Sequence, residues 1–266
     1  MPNPPTKHGL IERVRALAPK FAARAEAAEQ ARRLPAESVR EMLDAGIARI
    51  LVPPRFGGYG LDFDTWYDVV LEISKGDASH GWCASLIIHH AHIVAQFPEE
   101  CQQAIWADGP DVAITASFAP RTKAARVDGG YRLSGQDATY ASGVDNSTWV
   151  MIGAMATGAQ GPEWLLCMMP RGECSIRDVW HTAGMRGTGS NTIVTDNVFV
   201  PESHALRLTE LRSGKSPGGA LHQSLIYRAF FFFYAPLTFA APMLGAALAA
   251  YDHFGRWTKP DRKSVV

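Results

Sequence analysis

The sequence has no excess charge of either sign, because 26 Lys and Arg residues balance 26 Asp and Glu residues over 266 positions. A nucleic-acid-binding surface requires a basic excess, and a polybasic membrane anchor requires clustered Lys and Arg residues. Lys and Arg form no run longer than a pair in this sequence. We therefore expect neither nucleic acid nor a membrane among the partners.

Cysteine is scarce as well. The four cysteines, Cys83, Cys101, Cys167 and Cys174, are irregularly spaced and form no CxxC motif. This pattern argues against a disulfide scaffold, a zinc knuckle and a thioredoxin-like site. The first residues are polar and Pro-rich, and they lack the apolar core of a signal peptide. Together these features predict a reducing cytoplasm as the compartment.

Charged residues are also missing from residues 229–250. An apolar run above roughly 18 residues is a candidate membrane span. Pro236 and Pro242 interrupt this run, however, and no second candidate accompanies it. A buried helix pair or a helix at a subunit interface is the better interpretation.

The apolar pattern divides the sequence into three parts. Residues 1–108 have helical spacing, residues 109–212 form short β-like runs separated by turns, and residues 213–266 return to helix. No helix of about 10–15 residues separates the β-like runs, which disfavours parallel βαβ units. The predicted fold class is therefore α+β and multidomain, with an antiparallel barrel or sandwich between two helical parts.

Residues 184–190 read GMRGTGS and look like part of a dinucleotide-binding fingerprint. Such a fingerprint requires a strand before it and a helix after it. The residues that follow, NTIVTDNVFV, have the composition of a strand, so we reject a Rossmann site. Two interpretations remain: a tight turn between strands, or a loop whose main chain approaches a ligand.

A cluster of histidines lies in one predicted helix and includes His89, His90 and His92. No carboxylate stands at a matching i+3 or i+4 position, so we expect no metal site. An acid–base role for one histidine is the better hypothesis, since Trp82 lies on the same helix. His89 follows Trp82 at i+7 and His90 at i+8, so either imidazole can face a pocket that Trp82 lines.

Six segments together, in this order, resemble the acyl-CoA dehydrogenase superfamily. They are residues 51–60 (LVPPRFGGYG), 77–82 (DASHGW), 114–120 (ITASFAP), 130–143 (GYRLSGQDATYASG), 184–190 (GMRGTGS) and 198–201 (VFVP). Their details are more similar to the flavin-dependent monooxygenases than to the dehydrogenases. The resemblance implies an N-terminal helical domain, a β-barrel-like middle domain and a C-terminal helical bundle. Family members are generally longer, so we expect the bundle to be incomplete here.

The same resemblance implies a function. The expected activity is that of the oxygenase component of a two-component monooxygenase, which hydroxylates a phenolic small molecule. Such a component uses O2 together with reduced FMN or FAD, and a separate NAD(P)H-dependent reductase supplies the flavin. The resemblance also implies a homo-oligomer, with a tetramer as the family's usual form.

For the substrate, the branch implies a Trp and a His on one helix, and these correspond to Trp82 and His90. Ser117 matches a Ser of the first middle-domain strand that meets the substrate hydroxyl. We expect His90 to accept or share the phenolic proton, because an imidazole ordinarily has a pKa near the operating pH.

For the cofactor, Ser142 in the segment TYASG matches a Ser that approaches the reactive flavin nitrogen. Trp82 and Thr115 are assigned to the same flavin site. Arg262 in DRKSV matches an Arg that holds flavin phosphate, often across a subunit boundary. The implied catalytic residues are therefore His90, Ser117 and Ser142, and the implied cofactor-binding residues are Trp82, Thr115, Ser142 and Arg262.

Three other functions stay open at this point. A dehydrogenase needs a Glu base, but Tyr227 stands near one expected place, no carboxylate lies between Glu210 and Asp252, and the other place lies beyond Val266. Oxygenation at sulfur or nitrogen by the same flavin chemistry would leave the same residue pattern. The third alternative is an incomplete chain that has no catalytic activity.

Overall fold

Helices form the first part of the chain in the computed structural model, which describes residues 5–135, 138–158 and 161–258. The helices before the first strand are α1 (Lys7–Ala31), α2 (Ala36–Asp44), α3 (Phe63–Ser74), α4 (Ala78–Val94) and α5 (Glu99–Ile105). Helix α3 packs against both α1 and α4, so these three helices form the centre of this region.

Helix α4 begins at a side-chain cap. The Asp77 carboxylate accepts from the main-chain N–H of His80 at 3.0 Å, which satisfies one of the free N–H groups at the start of a helix. Gly81 allows α4 to approach α3 closely, because a Cβ at this position would lie 1.8 Å from the Ser74 hydroxyl oxygen. Most α4 side chains are buried on all faces of the helix, as is typical of a helix in a protein core.

Two sheets follow, built from strands β1 (Ile114–Val127), β2 (Gly130–Gly135), β3 (Ala138–Ala141), β4 (Trp149–Gly158), β5 (Gly161–Pro170), β6 (Ser175–Arg177), β7 (Asn191–Val194), β8 (Val198–Pro201) and β9 (Ala205–Arg207). The larger sheet has six strands in the order β8-β2-β1-β4-β5-β9, and the smaller has three in the order β3-β7-β6. The predicted α+β architecture, with helices on either side of a β region, is confirmed.

One strand pair differs from the antiparallel prediction, because β1 and β4 run parallel at the centre of the larger sheet. The other pairs are antiparallel. The chain between β1 and β4 contains β2 and β3 rather than an α-helix. The prediction treated a missing helix as evidence against parallel strands, and it was wrong for this pair because two strands, not a helix, make the connection.

Alternating side chains of the larger sheet belong to two different cores. Met151 and Leu166 pack in the cluster formed mainly by the helices. Their neighbours Val150, Ile152 and Leu165 pack in a second cluster between the sheets. This period-two alternation is that of a strand with both faces buried, and it places one face of the sheet directly against α4.

After β9, α6 (Leu208–Arg212) and a loop lead to α7 (Phe231–Trp257). Helix α7 packs against α3 and α4, and a Cβ at Gly245 would lie 2.5 Å from the Leu71 carbonyl oxygen. Of the helices in the described residues, only α7 is long and apolar enough to cross a membrane by length and composition. Its outer face is exposed, with Phe233 at 84% and Trp257 at 77%.

Candidate active site

His90 is fixed by one contact between helix α4 and strand β1. Its Nδ1 lies 2.7 Å from the main-chain oxygen of Ile114, and because a carbonyl can only accept, Nδ1 carries the proton. The Nε2 atom is therefore a bare acceptor, and it is buried without a protein partner. Burial lowers the pKa of His90 to about 4, well below the near-neutral value expected from the sequence, so the imidazole is neutral at pH 7.

Ser117 lies three residues after Ile114 on the same strand, at a break in its pairing. The register of β1 against β4 shifts between Ser117 and Thr122, and such bulges re-aim the side chains beside them. A Cβ at Gly153 would lie 1.9 Å from the Phe118 carbonyl oxygen, so the bulge requires glycine opposite it. The Ser117 hydroxyl donates to the Thr139 carbonyl at 2.7 Å, and its oxygen still has acceptor capacity.

Phe118 packs against His90. Its ring lies 5.8 Å from the His90 ring, edge to face, and stacks on Phe231 of α7 at 4.8 Å. The site thus has an apolar wall contributed by β1 and α7. The bare Nε2 of His90 therefore faces an apolar, aromatic environment.

His89, the other candidate, has a different environment. Its ring stacks on Trp66 at 5.7 Å and meets Tyr234 edge to face at 5.5 Å. Both of its ring nitrogens are buried without partners. Burial holds the pKa of His89 well below its ordinary value. His89 is thus enclosed by aromatic rings, whereas His90 is tied to the strand that carries Ser117.

Both ring nitrogens of His92 are hydrogen-bonded within the protein. Its Nε2 donates to the Ile226 carbonyl at 2.7 Å, and its Nδ1 accepts from the Tyr234 hydroxyl. Both nitrogens are therefore used in joining α4 to α7 and to the segment that leads into it. Within the described parts of the chain, no group of three or more His, Cys, Asp or Glu side chains is placed to hold a metal ion.

Trp82, Ser142 and Thr115 are brought together by hydrogen bonds. The indole N–H of Trp82 donates to the Ser142 hydroxyl oxygen at 3.1 Å. The Thr115 hydroxyl donates to the main-chain carbonyl of Ser142 at 2.7 Å. Ser142 directly follows β3, in which Tyr140 has a φ of 64°, an uncommon value for a bulky residue. The three residues assigned to one flavin site therefore lie in a single connected group.

Two further hydroxyls belong to this group and were missed in the sequence. The Ser142 hydroxyl lies 2.7 Å from that of Ser190, and the Ser190 hydroxyl lies 2.7 Å from that of Thr188. Both residues belong to the GMRGTGS segment, which forms a turn before β7. The only signal for them was their position in that glycine-rich segment.

The turn is held against the helices by close packing at Gly187. A Cβ there would lie 3.0 Å from Ser79 Cβ and 3.1 Å from Ala28 Cβ, and the Gly187 N–H donates to Glu29 at 3.3 Å. The predicted tight turn is present, directly before β7, and the interpretation of the segment as a loop that approaches a ligand stays a prediction. Arg262, the remaining predicted flavin contact, lies outside the described residues.

Residues 4–109 match the family model described as acyl-CoA dehydrogenase, N-terminal domain. The whole structure is similar to that of the 3-HSA hydroxylase from Rhodococcus sp. RHA1, with a TM-score of 0.90 and 33% identity over 95% of this chain and 66% of that one. The helical domain, the curled β region and the site between them define a protein of the acyl-CoA dehydrogenase fold.

Two curated relatives make the assignment narrower. The oxygenase component of FADH2-dependent resorcinol hydroxylase from Rhizobium sp. (strain MTP-10005) is 38% identical over 255 residues, 92% of this chain and 62% of the relative. The pigment production hydroxylase of Rhodococcus sp. (strain ATCC 21145) is 34% identical over 261 residues, 98% of this chain and 67% of the relative. The chain belongs to the flavin-dependent monooxygenase branch of the acyl-CoA dehydrogenase superfamily, as its sequence segments predicted.

Proposed function

We propose that this chain forms the greater part of the oxygenase component of a two-component flavin-dependent monooxygenase, and that its substrate is a phenolic small molecule. The observation that carries the proposal is His90, a neutral imidazole whose bare Nε2 is buried without a protein partner. A buried acceptor without a partner is costly, and the hydroxyl of a phenol would satisfy it, with the aromatic ring against Phe118.

The residues around Ser142 fit a flavin. The Ser142 oxygen has acceptor capacity beyond the Trp82 N–H, and Trp82 is only partly buried, so a polar contact and an aromatic surface lie side by side. Trp82 and Ser142 would hold the flavin ring, Thr115 would hold the Ser142 main chain, and Arg262 would hold the flavin phosphate. When bound, reduced FAD or FMN supplies the electrons that activate O2 for transfer of one oxygen atom to the ring.

His90 and Ser117 would act on the substrate. A phenol has a pKa of about 10, whereas burial lowers the pKa of His90 to about 4. His90 Nε2 is thus too weak a base to remove the proton outright in the resting site, and it accepts a hydrogen bond that moves electron density into the ring. Ser117 would orient the same hydroxyl, while Phe118 and Phe231 exclude water.

Partners and compartment belong to the same proposal. The name of the resorcinol-hydroxylating relative includes the words oxygenase component, which supports a separate NAD(P)H-dependent flavin reductase as partner. The exposed aromatic face of α7 supports further helices of a bundle and a homo-oligomer, with a tetramer as the expected form. The cysteines of the described chain are free thiols, which suits a reducing cytoplasm.

The test is product analysis with the full-length protein, reduced FAD or FMN, O2 and a panel of phenols that begins with resorcinol. We expect a hydroxylated phenol as the product. Sulfides and amines in the same panel test oxygenation at sulfur or nitrogen. Anaerobic mixing of the oxidised holoprotein with acyl thioesters tests the dehydrogenase alternative. Tyr227, which stands near one of the two expected base positions, is buried, and burial raises the pKa of its hydroxyl, so it does not replace the Glu base there. The absence of any product would support the non-catalytic alternative.

A further inference from the structure

Three hydroxyl groups form a continuous chain that ends at a main-chain carbonyl. Ser142 Oγ lies 2.7 Å from Ser190 Oγ, Ser190 Oγ lies 2.7 Å from Thr188 Oγ1, and Thr188 Oγ1 lies 2.8 Å from the Met185 oxygen. The three residues are 8%, 3% and 2% exposed. Bulk water is thus nearly excluded, and the hydroxyls depend on one another for partners.

The direction of every hydrogen in this chain follows from counting donors. The Met185 carbonyl can only accept, so the single hydrogen of Thr188 goes to it. The contact between Ser190 and Thr188 must then use the Ser190 hydrogen, and the contact between Ser142 and Ser190 must use the Ser142 hydrogen. The Ser142 oxygen therefore has no hydrogen left to donate elsewhere.

The opposite side of Ser142 is also defined. Its oxygen accepts the Trp82 indole N–H at 3.1 Å, which uses one of its two lone pairs. The remaining lone pair can receive only a donor. The main chain reinforces this arrangement, because the Gly143 N–H donates to the Thr188 carbonyl at 2.7 Å and so joins the two segments that carry the hydroxyls.

We propose that Ser190 and Thr188 are positioning residues that hold the Ser142 hydroxyl as a hydrogen-bond acceptor and so make the site selective for reduced flavin. This inference rests on the proposed function. A reduced flavin carries an N–H on the central ring at the nitrogen that is a bare acceptor in the oxidised form. An oxygen that can only accept a hydrogen bond would therefore pair with the N–H of reduced flavin. In oxidised flavin it would face the lone pair of the same nitrogen, which is unfavourable.

The test compares affinities for the two flavin forms in the full-length protein. Dissociation constants for oxidised FAD and, anaerobically, for reduced FAD are measured in the unaltered protein and in Thr188→Val and Ser190→Ala. One hydrogen bond stabilises by about 0.5–1.5 kcal/mol, so we expect each variant to lose about three- to tenfold of the preference for reduced FAD. The midpoint potential of bound flavin should fall by up to about 30 mV, the tenfold equivalent for a two-electron couple.

Two further variants separate positioning from folding. Thr188→Ser keeps the hydroxyl and should restore the preference, whereas Thr192→Val alters a buried threonine of β7 outside the hydroxyl chain and should leave it unchanged. The inference would be overturned if Thr188→Val and Ser190→Ala had the same preference for reduced over oxidised FAD as the unaltered protein, at unchanged melting temperatures. Failure of the unaltered protein to bind either flavin form would instead contradict the proposed function, and this inference with it.

Discussion

The Nδ1–H of His90 donates to the carbonyl of Ile114 at 2.7 Å, and this contact decides which imidazole nitrogen is left for a substrate. Hydrogen bonding at one ring nitrogen sets the tautomer and thereby the character of the other. Ile114 opens the strand that also carries Ser117 and Phe118, and the Phe118 ring lies 5.8 Å from that of His90.

Replacing His90 with Ala should separate oxygen consumption from hydroxylation. The flavin contacts at Trp82 and Ser142 stay intact, so reduced flavin should still react with O2. Product formation should fall by up to about tenfold, because the variant loses the one hydrogen bond, about 0.5–1.5 kcal/mol, that orients the phenol. An oxygen electrode together with chromatography of the product gives the coupling ratio. An unchanged ratio would remove His90 from the mechanism.

Replacing Ser142 with Ala should increase the share of O2 that is released as hydrogen peroxide. The variant removes the acceptor of the Trp82 N–H and the proposed contact with the flavin nitrogen. The loss of one such hydrogen bond should raise the share of O2 released as peroxide by about tenfold or less. Peroxide is assayed per mole of O2 consumed. Ser147→Ala is the matched control. Within the described residues the Ser147 hydroxyl donates to the Val144 carbonyl at 3.0 Å and makes no hydrogen bond with the Ser142 group, so this variant should leave the peroxide share unchanged.

His89→Phe and His92→Phe should have opposite effects on stability. His89 has two buried nitrogens without partners, so phenylalanine keeps the ring contact with Trp66 and removes an unfavourable desolvation, a gain of about 1 kcal/mol. His92→Phe leaves the Ile226 carbonyl and the Tyr234 hydroxyl buried without their partner, a loss of about 2–3 kcal/mol. Denaturant unfolding measures both. A marked loss of stability in His89→Phe would mean that His89 has a polar partner in the folded protein.

Stability should begin to fall on acidification at about pH 6.5, above the ordinary pKa values of Asp and Glu. Burial lowers the pKa of both His90 and His92 to about 4, against about 6.5 in an unfolded chain. Between pH 6.5 and 4 the unfolded chain binds protons that the folded chain excludes, so the free energy of unfolding decreases as the pH falls. Each histidine contributes up to roughly 3 kcal/mol to this decrease. Urea unfolding at pH 7 and at pH 5 measures it, and equal stability at the two values would contradict the assignment.

The larger features of the fold were predictable because they depend on local pattern. Helical spacing marks the part before the β region, and short β-like runs separated by turns mark the β region itself. The parallel pairing of β1 with β4 was not predictable, since it depends on where β2 and β3 go in space. A strand's own composition does not specify the direction of its neighbour.

The candidate site was predictable to a similar degree. The resemblance singled out Trp82 and Ser142, and the structure joins them by a hydrogen bond. Helical spacing alone could not separate His89 from His90, because both follow Trp82 at about two turns. What distinguishes His90 from His89 is its hydrogen bond to the Ile114 carbonyl of the strand. Ser190 was missed for another reason, since its hydrogen bonds depend on contacts between segments that are distant in the sequence.

The group around Ser142 is assembled from segments far apart in the chain. The contact of Trp82 with Ser142 spans 60 residues, and that of Ser142 with Ser190 spans 48. Contacts of such separation form only after long loops have closed, late in folding. Under the proposed function, a partly folded or newly made chain would lack the arrangement that retains reduced flavin. Binding of reduced flavin would then report the correct packing of all three segments against one another, even where Ser142 itself is unchanged.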